Sequence, residues 1–313
     1  MSNAATSRTF GVVIPNWNGA AFIERCLGSV LAAVRRAGIP MEVVVTDDAS
    51  GDRSAEIIAS SFPSVKLVRW ERNVGFGEAV GRGMAASTAD WVFLLNNDLA
   101  LREDFCERLI GILNSFADPG RLFVIGARTL DWTTGAPNHG GQNARWERGL
   151  IVQDPFDSDD WTEAGFFQAG ACLIDRAKFL ALGGFAGLFE PGYWEDYDLA
   201  WQARRRGWSV LYDPRAVAWH LGKGSMRDRL GDYGLALMLK RNHLLFNWAS
   251  LADFGLLARH CLGLPRLVLT ADGAPAGWGR ALLAALARLP AVLRLRRARA
   301  AAGRPDRQLL GLR

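Results

Sequence analysis

Cysteine is scarce in this chain. Cys26, Cys106, Cys172 and Cys261 are scattered, with no CxxC pair and no metal-type spacing. That excludes a disulfide framework and fits structural thiols in a reducing compartment. No apolar run reaches the ~18–20 residues a membrane-spanning helix needs. The start, Met1 to Thr9, is small and polar with no apolar core segment. No signal peptide is therefore expected, and residues 1–9 read as a disordered leader or tag remnant. No internal repeat is visible. Acid is nearly missing from the tail: from Arg259 onward there are 11 Arg, no Lys and 2 Asp, whereas residues 1–258 carry 26 basic and 30 acidic side chains. A nucleic-acid binder usually carries its basic stripe on the folded face that docks. Nucleic acid is thus not an expected partner, and the tail points first to anionic lipid or to a protein.

What is present is a large core. Half of the 313 residues are hydrophobic and 22% are charged, which excludes global disorder. The organising stretch is Trp91 to Asp98, five apolar residues followed directly by Asn96-Asn97-Asp98. A strand buried on both faces looks like this, and the carboxyl ends of such strands are where open α/β sheets place ligands. Strands are expected at Phe10–Pro15, Met41–Thr46, Val65–Trp70 and Leu122–Ala127. Helices are expected at Ala21–Arg36, Ser54–Phe62, from Asn73 to about Ser87, and at Glu103–Phe116. This alternation is the signature of a mostly parallel sheet flanked by helices. Thr129 to Glu163 breaks the rhythm and reads as loops with a small antiparallel piece. Beyond it come a strand at Phe166–Ile174, helices at Arg176–Leu182 and Glu195–Arg206, and short strands at Trp208–Tyr212 and Val217–Trp219. From Leu230 the pattern is helical, with interruptions at Pro265, at 272–275 and at Pro290. The expected organisation is an α/β domain over 10–228 with a helical C-terminal extension over 229–313.

The first, second and fourth strands each end in a polar cluster: Pro15-Asn16-Trp17-Asn18, Asp47-Asp48 and Asn96-Asn97-Asp98. Neighbouring parallel strands bring such ends to one rim. An aromatic, a carboxylate able to accept from a base N–H and a metal-binding carboxylate together describe a nucleoside-diphosphate pocket. Taken singly, each cluster could equally cap a helix.

In order, the chain carries Ile14-Pro15-Asn16-Trp17-Asn18-Gly19, Thr46-Asp47-Asp48-Ala49-Ser50, Asn73-Val74-Gly75-Phe76 and Leu95-Asn96-Asn97-Asp98. Gly183-Gly184-Phe185, Glu195-Asp196-Tyr197-Asp198-Leu199 and His220 follow. This series resembles glycosyltransferase family 2, the inverting nucleotide-sugar transferases of GT-A fold, and most of all its rhamnosyltransferase-type members. The resemblance covers about residues 10–225. It implies that Pro15, Trp17 and Asp48 hold nucleobase and ribose, with Asn73, Gly75, Asn97 and Asp98 completing the donor site. It further implies a divalent cation, Mg²⁺ or Mn²⁺, on Asp98 with His220 as a second ligand. Otherwise His220 is a surface histidine beside Trp219. The family's first Asp of that segment is Asn96 here, which leaves the metal's identity open. Asp196 matches the catalytic base, with Trp194 and Glu195 on the acceptor side. A carboxylate there is what an inverting transfer requires, to take the acceptor's proton as the anomeric carbon is attacked.

The resemblance implies a transferase that moves sugar from a nucleoside-diphosphate sugar to a lipid-linked saccharide or polysaccharide, peripheral on the inner face of the cell membrane. The tail's arginines and apolar helical spacing fit an in-plane membrane contact, and fit equally a cap on the domain or a homodimer contact. A sugar-nucleotide nucleotidyltransferase would want a Gly-rich loop bearing Arg or Lys after its first strand, where this chain has Asn16-Trp17-Asn18-Gly19. A degenerate, scaffold-like transferase is kept open by Asn96 and opposed by Asp48, Asp98 and Asp196. Gly75-Phe-Gly77-Glu-Ala-Val-Gly81 follows the third strand rather than the first, which argues against a dinucleotide fingerprint.

Overall fold

The computed structural model describes residues 8–222, 225–269, 275–299 and 303–312. The expected leader lies mostly outside these, but Thr9 is tied down, its amide and hydroxyl both donating to Asp90 at 2.9 Å. The first half alternates strand and helix: β1 (Phe10–Asn16), α1 (Ile23–Ala37), β2 (Met41–Asp47), α2 (Ser54–Ser61), β3 (Lys66–Arg69), α3 (Phe76–Ala86), β4 (Trp91–Leu95), β5 (Leu99–Leu101) and α4 (Phe105–Ser115). Then come β6 (Leu122–Asp131), β7 (Pro137–His139), β8 (Gly141–Glu147), β9 (Leu150–Phe156), β10 (Thr162–Glu163), β11 (Ala171–Asp175), α5 (Arg176–Ala181), α6 (Glu195–Arg205) and β12 (Ser209–His220). The chain finishes with α7 (Ser225–Ser250), α8 (Phe254–Val268), α9 (Trp278–Leu286), α10 (Leu289–Ala298) and α11 (Asp306–Leu309).

The main sheet runs β10-β12-β6-β11-β4-β1-β2-β3, with β5 beside β12 and β7 beside β6. β4, β1, β2 and β3 are parallel, as are β6 and β12, while β11 is antiparallel to both its neighbours. Alternation along each strand divides the core between the two faces. Val12, Ile14, Phe93 and Leu95 face α1 and α4, while Val13, Val44, Val92 and Leu94 face the other way. All five residues of β4 are buried, as their unbroken apolar run requires. The expected small antiparallel piece is the β8–β9 hairpin.

Three expectations need correction. Only Ala171–Asp175 of the strand expected from Phe166 joins a ladder. Phe166 and Phe167 are apolar because their rings pack edge-on against Tyr197 and Phe123. The two short strands around 208–219 are one strand, β12, carrying a register shift between Asp213 and Val217, and it accompanies β6 out to Asp131. Pro265 does not interrupt the tail. It lies inside the last turn of α8, which continues past it to Val268 without the hydrogen bond that its missing N–H would have given to the Cys261 carbonyl. The break falls earlier, at 251–253, and α7 carries its own non-helical residue, Gly231. Pro290 sits in the first turn of α10, where a missing N–H costs nothing.

The C-terminal helices do not stand apart. Leu256, Ala281, Ala285, Val292, Leu309 and Leu310 belong to the same continuous core as Val13 and Phe123. Among the described residues, no helix is long and apolar enough to cross a membrane.

Candidate active site

The carboxyl ends of β1, β2 and β4 do meet at one rim, joined by side-chain hydrogen bonds. Asn97 Nδ2 donates to Asn16 Oδ1 at 2.8 Å, and Asn16 Nδ2 donates to Asp47 Oδ1 at 2.7 Å and Ser54 Oγ at 2.9 Å. A Cβ at Gly19 would stand 2.3 Å from both Asn16 Oδ1 and Asn97 Nδ2, so the first-loop glycine is what lets these amides meet. The loops after β1 and β2 interlock, Asn18 N donating to Ser50 Oγ and Gly51 N to Asn18 Oδ1, both at 2.9 Å. Asn16 was not among the candidate donor residues. It lay inside the quoted motif, but only burial shows it as the hub.

Asp48 is buried, and its two oxygens accept the backbone N–H groups of Val74 at 2.7 Å and Gly75 at 2.9 Å. Asn73 Nδ2 reaches back to the Asp48 carbonyl at 3.2 Å. Asp48 thus draws the loop after β3 onto the end of β2. Gly75 has φ +88°, and a Cβ there would come within 2.7 Å of Glu190 Oε2. Glu190, which sequence reasoning missed, is held above the ordinary carboxyl range by burial and then by the charge of Asp48. Pro15 is buried within β1. Trp17 is 41% exposed on the rim, with the Arg229 guanidinium 5.4 Å from its ring centroid. Nothing in the local sequence signals Arg229, because α7 reaches the rim only in the fold.

Asp98 follows β4 by three residues. Its backbone oxygen accepts from Leu221 N at 2.7 Å, which pins the end of β12 against it. His220 Nε2 stands 3.3 Å from Asp98 Oδ2, and His220 Nδ1 lies 2.6 Å from the Gly222 carbonyl. A carbonyl can only accept, so Nδ1 carries the hydrogen, and Nε2 is the ring nitrogen that faces the carboxylate. Asp98 Oδ1 is buried with no hydrogen-bond partner. Burial pushes the Asp98 carboxyl up, and His220 pulls it partly back. An imidazole nitrogen facing a carboxylate, beside an orphaned buried oxygen, fits a divalent cation bound by few protein ligands, the rest coming from phosphate oxygens and water. Among the described residues, no group of three or more His, Cys, Asp or Glu side chains forms a self-sufficient metal cage.

Glu195 and Asp196 open α6. Asp196 Oδ1 accepts from Tyr197 N at 2.9 Å, and Ala169 N approaches Oδ2 at 3.4 Å. Burial pushes both carboxyls above their ordinary values, Glu195 additionally because it faces Asp196. Glu195 Oε2 has no partner. Tyr193, also missed, stands between the two halves of the site: burial, then the charges of Glu195 and Asp98, raise its phenol. Trp194 is buried, its ring stacked on His243 at 4.2 Å. Acids fill the first turn of α6 and Arg204 and Arg205 the last, as the macrodipole favours.

Comparison with known proteins bears on the family and the fold. The model of the family described as "Glycosyl transferase family 2" matches residues 11–188. The chain belongs to that family. It is 26% identical over 236 residues to the N-acetylglucosaminyl-diphospho-decaprenol L-rhamnosyltransferase of Mycobacterium tuberculosis (strain CDC 1551 / Oshkosh), covering 67% of this chain and 75% of that one. It is 35% identical over 99 residues to the succinoglycan biosynthesis protein ExoO of Rhizobium meliloti (strain 1021), covering 31% of this chain and only 28% of that protein's length. Among solved structures, GalNAc-T7 with UDP, GalNAc and Mn²⁺ superposes with a TM-score of 0.60 at 15% identity, over 92% of this chain and 58% of that one. The fold of this glycosyltransferase is therefore GT-A, a mostly parallel mixed sheet flanked by helices, with C-terminal helices.

Proposed function

We propose that this glycosyltransferase inverts, using a nucleoside-diphosphate sugar and a divalent cation, Mg²⁺ or Mn²⁺. The observation that carries the reading is the Asp98–His220 pair, in which Nε2 faces the carboxylate beside an unpartnered buried oxygen. Asp98 and His220 would hold the cation, which when bound supplies charge neutralisation for the departing diphosphate. Trp17 offers a ring face for the base, and Asp48 and Asn73 shape the loop beneath it through Gly75. Asn97 fixes the rim through Asn16. On the other side, Asp196 takes the acceptor hydroxyl's proton while that oxygen bonds to the anomeric carbon. The bond from that carbon to the diphosphate oxygen breaks, and its electron pair leaves with the nucleotide. A burial-raised carboxyl suits Asp196 to hold a proton nearer neutrality. Glu195 and Tyr193 would border the acceptor.

The acceptor we infer is a lipid-linked saccharide or a polysaccharide of the cell surface. The printed names of the two relatives, one acting on a decaprenol-linked sugar and one in succinoglycan synthesis, support this. A peripheral place on the inner face of the cell membrane is part of this proposal, and the tail supports a membrane contact. Phe254, Leu262 and Leu269, eight and seven residues apart along one side of α8 and its end, are 84%, 80% and 85% exposed, and Leu283 on α9 is 69% exposed. Arg259 and Arg266 lie on α8, and Arg294 and Arg297 on α10. Apolar side chains among arginines suit an anionic lipid surface. The test is a panel of nucleotide sugars screened for thermal stabilisation with and without Mg²⁺ or Mn²⁺, followed by assignment of the product's anomeric configuration. Metal-independent donor binding, or a product that retains the donor's configuration, overturns the reading.

A further inference from the structure

β6 runs parallel to β12 and, through the antiparallel β11 between them, in the same sense as β4. The starts of β6 and β12 therefore lie at the sheet edge opposite the rim that carries Asp98. At that edge a cavity of about 170 Å³ opens between the start of β12, Arg121 just before β6, the C-terminal end of α6, and Arg304. Three guanidinium groups line it, those of Arg121, Arg204 and Arg304, against one carboxylate, Glu163. Glu163 already accepts the Ser209 hydroxyl at 3.2 Å.

The cations are poorly served by the protein. Arg204 Nη2 donates to the Leu309 carbonyl at 3.1 Å, but Nη1 is buried and finds no acceptor. A buried N–H without a partner is costly, and such groups call for an explanation. Arg121 Nε makes one bond of 3.3 Å to the Gly207 carbonyl, and Arg304 is held by its backbone, N donating to the Arg205 carbonyl at 2.7 Å. Among the described residues no acid lies within ion-pair reach of Arg121 or Arg304. Burial holds Arg204 below its ordinary value, Glu163 pulls it back, and Arg304 pushes it further down. The arrangement gathers positive charge and leaves it uncompensated.

We propose that this cavity binds a phosphate-class oxyanion, gripped by Arg204 and Arg304 and separate from the donor site. Guanidinium forks match phosphate oxygens, and a charge-assisted bond would satisfy Nη1 of Arg204. The bound anion would bridge the C-terminal segment to the end of α6. That helix carries Asp196 at its other end, eight residues or about 12 Å away along the axis. An oxyanion here would therefore stiffen the helix that presents the base.

The test uses the full chain in metal-free buffer, with inorganic phosphate as the probe and chloride at matched ionic strength as the control. At about ten times its Kd, phosphate should raise the wild-type melting temperature by about 2–4 °C beyond chloride. Arg304→Ser, at a side chain with no hydrogen-bond or ion-pair partner among the described residues, should keep the unliganded melting temperature and lose that rise. Arg121→Ser should weaken it. No rise in the wild type, or an equal rise in Arg304→Ser, overturns the proposal. A second arm identifies the source of the phosphate. If Arg304→Ser also binds phosphatidylglycerol vesicles less tightly, the anion is a lipid headgroup; with vesicle binding unchanged it is a soluble phosphate.

Discussion

Asp198 is the third acid of α6 and 1% exposed, yet it lies over 100 residues from its partner. Arg299 donates to it through both terminal nitrogens, Nη1 to Oδ1 at 2.7 Å and Nη2 to Oδ2. Ser250 Oγ adds a contact at 3.4 Å. The Arg299 side chain is itself only 18% exposed, so the pair is close to a buried one. Arg299→Met keeps much of the stem's apolar contact and removes the charge, leaving Asp198 buried without compensation. Breaking such a pair from one side costs roughly 3–5 kcal/mol, which in a chain of this size corresponds to roughly 5–10 °C in Tm. Asp198→Asn should cost less, because Arg299 is nearer solvent. The double variant Asp198→Asn/Arg299→Met, with both charges gone, should recover much of the Arg299→Met loss. Turnover should fall with Arg299→Met more than nucleotide binding does, since Asp196 sits two residues from Asp198 while the donor rim is built on β1, β2 and β4. The assay is thermal unfolding of the four proteins, with nucleotide titration and turnover beside it. An Arg299→Met Tm within a degree of wild type, or a double variant no more stable than that single one, refutes the reasoning.

Asp196→Asn should lower turnover by roughly 10²–10⁴ while the nucleotide still binds, and near-normal turnover, or a lethal Glu195→Gln in its place, removes Asp196 as the base. Because burial raises Asp196, the rate should climb with pH through a range above the ordinary carboxylate value and level off once the group is ionised; a turnover–pH profile already flat there contradicts this. Asp98→Ala should abolish metal-dependent donor stabilisation and His220→Ala should weaken it, both read by calorimetry with and without Mn²⁺; unchanged affinity in both sinks the metal site. Replacing Phe254, Leu262 and Leu269 together by Ser should release the protein from anionic vesicles without lowering its Tm, since these side chains are already exposed. If the wild type ignores such vesicles at low salt, the same face becomes a contact between copies, to be read from its oligomeric state.

Much of the candidate donor rim was legible in the chain because its parts are local. A buried strand declares itself by unbroken apolar residues, and the polar groups that follow it stand at the sheet's carboxyl edge. So β1, β2 and β4 and the clusters after them lie where alternation and apolar runs placed them. The errors have local causes as well. Phe166 and Phe167 look like strand because ring burial and ladder burial leave the same apolar trace. Pro265 looks like a break because proline removes a helix hydrogen bond, yet α8 absorbs that loss and runs on to Val268.

By itself, the order of apolar and polar residues determined the α/β alternation, the family motifs and the concentration of arginine after residue 258. Those are properties of neighbours in the chain, read through backbone geometry with period 2 or 3.6. Only the tertiary structure decided that Asn16 is a hub, that Glu190 stands against Gly75, that Arg229 covers Trp17, and that Arg299 pairs with Asp198. Each joins side chains from different elements, and a charge's partner is set by what burial brings within about 4 Å, not by spacing along the chain. The tail shows the difference most plainly. Its composition was compatible with a membrane face or a cap, whereas in the fold one side of it completes the core behind Asp196 and the other leaves leucine and arginine exposed. The cap describes the inner faces of these helices, and the membrane contact is proposed for the outer ones.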